Sequence, residues 1–110
     1  MKIEVKGKLY DIRLKQEFVE SLSGKAVRQT TATISSIDPS KVGAEKYTPV
    51  DSVSITQNVK DLDNKFGARK RAVAKLINGV FDKATREYLW RNVILTDKNI
   101  VGEELVKELS

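Results

Sequence analysis

Ile3 and Val5 alternate with Glu4 and Lys6, and after Lys6-Gly7-Lys8 the alternation resumes, with Tyr10, Ile12 and Leu14 between Asp11 and Arg13. Period two on both sides of a glycine predicts a β-hairpin. Phe18-Val19 with Leu22 fits neither the strand nor the helix period, and Ser23-Gly24 marks a turn. From Ala26 to Ile37 the chain is rich in Thr and Ser and is β-branched. Arg28, Thr30, Ala32 and Ile34 fall on one face of that strand, and Gln29, Thr31, Thr33 and Ser35 on the other. Asp38-Pro39-Ser40 ends it, a loop spans Lys41 to Lys46, and Pro49 begins a last strand with Val53 and Ile55 on one face.

The period then changes. Asp63 or Asn64 is placed to cap a helix running to about Asn78, where Asn78-Gly79 predicts a left-handed stop. Val80-Phe81 connects to a second helix, capped by Asp82 and running to about Leu95. Thr96-Asp97 opens a loop, and Glu103 to Leu109 can form a short terminal helix. The expectation is an α+β fold, an N-terminal antiparallel sheet of about four strands followed by a C-terminal helical hairpin. It forms one domain, 1–110, with a β half over 1–60 and a helical half over 61–110.

Composition narrows the chemistry. The 110 residues suit a single modest core. Histidine and cysteine are absent, which removes a His general base, a Cys nucleophile, disulfides and Cys/His metal sites. The expectation is a non-enzymatic binding protein with no cofactor and no metal; Asp61-Leu62-Asp63 reads as a helix cap rather than a cation site. No apolar run approaches the roughly 20 residues of a membrane helix. The charged, alternating start does not read as a signal peptide, so no membrane association and a cytoplasmic location are expected.

The net charge of +5 is unevenly spread: +1 over residues 1–64, +6 over 65–91 and −2 over 92–110. Register divides the basic segment further. The expected apolar stripe of the first helix is Phe66, Val73, Leu76 and Ile77. Arg69 falls within it and Lys70 at its edge, while Arg71 and Lys75 face away. In the second helix Arg86 precedes Leu89, Trp90 and Val93 by helical spacings. A guanidinium on a face meant for burial needs an anion, an internal partner such as Asp61, Asp63 or Glu87, or a path to water. A phosphate fits arginine's planar fork. Gly67, in the first turn, either lets a ligand approach the free amides or spaces the helix from the sheet.

The stretch Asp63-Asn64-Lys65-Phe66-Gly67-Ala68-Arg69-Lys70-Arg71-Ala72-Val73, followed by Arg86-Glu87-Tyr88-Leu89-Trp90, resembles the first type of phage anti-Thoeris protein over residues 61–93. In that family Gly often directly precedes Arg-Lys, whereas Ala68 intervenes here. The resemblance implies a host-cytoplasmic, oligomeric, non-catalytic sponge for cyclic ADP-ribose signals made by bacterial TIR enzymes, and for some cyclic oligonucleotides. It implies ligand contacts from Asn64 (amide hydrogen bonds), Phe66 (stacking) and Arg69, Lys70 and Arg86 (phosphate).

Two other functions fit the same charge. A nucleic-acid-binding protein would lay the 65–91 hairpin along phosphates, using the outward Arg71, Lys75 and Lys83. A protein-binding inhibitor would use the sheet edge or the acidic tail.

Overall fold

A computed structural model describes residues 1–57 and 64–102. The first hairpin joins β1 (Lys2–Val5) to β2 (Lys8–Glu20) through Lys6 and Gly7. Both turn residues have positive φ, 52° and 78°, the two-residue turn whose twist matches the strands it joins. Phe18 and Val19, which the sequence pattern leaves unassigned, continue β2, pairing with Arg28 and Val27 of β3 (Ala26–Ile37). β4 (Tyr47–Thr56) completes an antiparallel meander in the order β1-β2-β3-β4. The α+β arrangement expected from the sequence is the one observed.

β4 starts two residues before Pro49. Ser35 pairs with Pro49 and Ile34 with Asp51, so Val50 is bulged out. Proline is tolerated here because β4 is an edge strand beside a bulge. Ahead of it, Asp38 accepts hydrogen bonds from the amide and hydroxyl of Ser40, which fold the loop and hold the Asp38 pKa below its usual value.

One sheet face is covered by helices. α1 (Lys65–Val80) lies across β3 and β4, burying Ala68, Ala72, Val73, Leu76 and Ile77 against Ile12, Ala32 and Ile34. The buried stripe is therefore rotated from the expected one. Ala68 and Ala72 occupy its N-terminal end, where small side chains let the helix approach the sheet, and Phe66 is left 36% exposed. The expected stop at Asn78-Gly79 is also displaced: Gly79 is helical, and α1 runs to Val80 with the extended Phe81 (φ −118°, ψ 155°) as its C-cap. Val80 packs on the core, and that burial outweighs the local helix-stop signal.

The second helix is likewise not continuous. α2 (Lys83–Leu89) begins on Asp82, whose carboxylate accepts the Thr85 amide at 2.9 Å. A π-helical turn, Trp90–Ile94, follows and buries Ile94 beside Leu89. The residues read as a loop after Thr96 contain α3 (Lys98–Val101), capped by Asp97, with Ile100 and Val101 buried. Four residues are too few to show a helical period. The expected helix over Glu103 to Leu109 and the Asp61-Leu62-Asp63 cap lie outside the described residues.

Candidate functional site

The start of α1 is built around Asn64. Its side-chain oxygen accepts the Gly67 amide at 2.8 Å, the ordinary work of an N-cap. The amide group folds so closely over Gly67 that a Cβ there would stand 2.7 Å from Asn64 Nδ2. Gly67 thus makes room for the cap, a role different from the two suggested by the sequence.

Phe66 lies outside the buried core. Its ring packs toward Gly102, where an added Cβ would come within 3.4 Å. The Lys65 ammonium and the Arg69 guanidinium sit 5.4 Å and 5.5 Å from its centroid, within cation–π range. Lys70 is half-buried and makes no hydrogen bond or ion pair among the described residues.

Arg69 is half-buried at the margin of the helix stripe. Its Nε donates to Gln16 Oε1 at 2.8 Å, and Nη1 donates to the Asn99 carbonyl. Gln16 is fixed in turn, its amide nitrogen donating to Thr30 Oγ1 and to the Lys65 carbonyl, both at 3.0 Å. One glutamine therefore ties β2, β3 and the first turn of α1 to a single guanidinium. Both acceptors of Arg69 are neutral, and no carboxylate pairs with it among the described residues. Its positive charge is oriented but has no acidic partner among the described residues.

Arg69 lines an open groove of about 410 Å³ with Met1, Ile12, Arg13, Leu14, Asp97, Asn99 and Ile100. Arg13 borders the groove, but its guanidinium lies on the outer sheet face, 5.2 Å from the Tyr47 ring centroid and held by Asp11 Oδ2 at 2.7 Å, a contact that raises its pKa above the usual value. Asp97 is the acidic member of the lining, and its Oδ1 accepts the Asn99 amide at 2.8 Å. Such a cavity has the volume of a small-ligand site. A hollow of about 600 Å³ between β1 and α2 and one of about 560 Å³ on the outer sheet face are larger. Neither includes any of the five residues singled out from the sequence.

Arg86 is elsewhere. Its Nη1 donates to the Phe81 carbonyl at 2.9 Å, so it holds the junction between α1 and α2. A cation against the carbonyls ending a helix is favourably placed. Phe81 lies twelve residues beyond Arg69, roughly 18 Å of helix at 1.5 Å per residue. Asn64, Phe66, Arg69 and Lys70 are thus neighbours at one end of α1, with Arg69 alone lining the groove, and Arg86 is at the other end.

Gln16, Asn99 and Asp97 were not anticipated. Gln16 carried a signal, being the polar continuation of the inward series Tyr10, Ile12, Leu14. Asn99 acts through its backbone, which residue type does not reveal. The described residues contain no cluster of three or more potential metal-ligating His, Cys, Asp or Glu side chains. No described helix is long and apolar enough to cross a membrane.

Comparisons with protein-family models, with curated proteins and with solved structures find no match to this chain.

Proposed function

We propose that the protein is a non-catalytic sponge for a small cyclic phosphorylated nucleotide of the cyclic ADP-ribose or cyclic oligonucleotide class, with Arg69 as its principal phosphate ligand. The supporting observation is the Arg69 guanidinium itself, oriented by two neutral acceptors at a groove and left without a described counter-ion. An arriving phosphate supplies an opposite charge without having to break an ion pair to any described residue. Charge-assisted hydrogen bonds contribute about 1.5–3 kcal/mol each before ordering costs. Phe66, adjoining Arg69, offers a base a partly exposed ring. Arg86 is too distant to share a small ligand with Arg69 of the same chain, so joint ligation by both requires a second copy.

The test is to incubate the purified protein with a cyclic ADP-ribose isomer made by a TIR enzyme, remove free ligand, heat-denature the protein and analyse the supernatant. Recovery of intact signal is the expected result. Recovery of degraded signal identifies an enzyme, and recovery of nothing overturns the proposal.

A nucleic-acid reading draws on a different observation. Arg71, Lys75 and Lys83 are exposed and make no ion pair among the described residues. Binding through them would weaken with salt at a log–log slope of about −0.9 per neutralised duplex phosphate.

A further inference from the structure

One contact fixes the direction of every main-chain group along the second half of β4. The Gln57 amide donates to the Arg28 carbonyl at 2.9 Å, and the register continues with Thr30 opposite Ile55 and Ala32 opposite Val53. In an antiparallel ladder, residues bonded across it alternate with residues whose amide and carbonyl point the other way. Gln57, Ile55 and Val53 therefore direct their main-chain groups to β3. Thr56, Ser54 and Ser52 direct theirs to the open edge of the sheet.

Among the described residues that part of the edge is covered only at Ser52, whose amide donates to Asp51 Oδ1 at 2.8 Å. Exposed edges are normally blunted by proline, bulges or charge. In β4 these features sit together at one end: Pro49, the bulge at Val50, and Asp51. Ser52 to Gln57 carries no charge. β1, the opposite edge, is four residues long and carries Lys2 and Glu4. On the helix-covered face Val53 and Ile55 pack against the core yet remain only half-buried, leaving apolar surface at this edge.

We infer that β4 is a dimerisation edge, at which a second copy of this chain pairs antiparallel about a two-fold axis at Ser54. The register is self-complementary. Ser54 faces Ser54 of the partner subunit and Ser52 faces Thr56 of the partner subunit; all three positions direct main-chain groups outward, and the Ser52 amide exchanges Asp51 Oδ1 for the Thr56 carbonyl of the partner subunit. On the inner face Val53 meets Ile55 of the partner subunit, extending the apolar layer across the junction. Asp51 meets Gln57 of the partner subunit, so no like charges oppose. This axis uses the whole stretch between the bulge and Gln57, whereas an axis at Ser52 would draw Val50 and Pro49 into the ladder. The result is an isologous contact joining two sheets into one. It stands independently of any ligand.

The absence of cysteine makes the register directly testable. Bonded antiparallel neighbours have Cα atoms about 5.5 Å apart, close together but with Cβ atoms beyond the roughly 3.5–4.5 Å of a direct disulfide. Ser54→Cys should therefore give a covalent dimer with a short homobifunctional thiol crosslinker. Ser52→Cys and Thr56→Cys alone should stay largely uncrosslinked, because each faces the other position. Wild type should sediment as a dimer. Ser54→Pro should sediment as a monomer with an unchanged circular dichroism spectrum, since the Ser54 amide points away from β3 and makes no hydrogen bond among the described residues. If Ser54→Pro does not fold, crosslinking still decides the register. A monomeric wild type, or Ser52→Cys crosslinking as readily as Ser54→Cys, would overturn the inference.

Discussion

At the residue scale, Gly67 shows how a neighbouring side chain can reverse a propensity argument. Alanine in a helix interior is favoured over glycine by about 1 kcal/mol, but at position 67 its Cβ would meet the Asn64 amide group at 2.7 Å. Displacing that group removes the cap, itself worth about 1 kcal/mol. Gly67→Ala should therefore give no gain in the wild type but stabilise an Asn64→Ala background. A thermal double-mutant cycle reads this non-additivity, and equal effects in both backgrounds would refute it. Asp82 gives a pH prediction. Hydrogen bonds from Thr85, with help from Lys6, hold its pKa at about 2, below the usual 3.8. The depressed folded-state pKa means that its contribution is fully present above pH ~4 and is lost as pH falls through about 2. Asp82→Asn should flatten the fall of the urea midpoint over that window, and an identical acid profile would exclude the role.

At the scale of elements, α1 is held by its buried face and aimed by one polar hub. Leu76 is fully buried, so Leu76→Ala should cost about 2–5 kcal/mol in denaturant unfolding. Gln16 bonds Thr30, Lys65 and Arg69 at once. Gln16→Ala should cost less, about 1–3 kcal/mol, yet weaken nucleotide binding with Arg69 still present. Unchanged affinity would assign Gln16 to packing alone. The strands, the Asp82 cap and a cap at Asp63 or Asn64 were legible in the sequence because period two and capping residues are local signals. The end of α1, the π-helical turn and α3 were not, because Val80, Ile94 and Ile100 are placed by tertiary burial. Arg69 was recognisable as an arginine on the wrong face. Its acceptors were not, since Gln16 and Asn99 are remote in sequence and one acts through its carbonyl.

At the scale of the whole molecule, the basic charge divides between two surfaces. Arg71, Lys75 and Lys83 face solvent, whereas Arg69 is turned toward the groove beside β2 and α3. The two surfaces make opposite predictions about which substitutions matter. Calorimetric titration of a cyclic ADP-ribose isomer into wild type, Arg69→Ala and the Arg71→Ala/Lys75→Ala double variant tests the central claim most directly. The account predicts saturable binding to wild type, a loss of at least about tenfold (~1.4 kcal/mol) in Arg69→Ala, and wild-type affinity in the double variant. Undiminished binding by Arg69→Ala, or loss of binding only in the double variant, would contradict it.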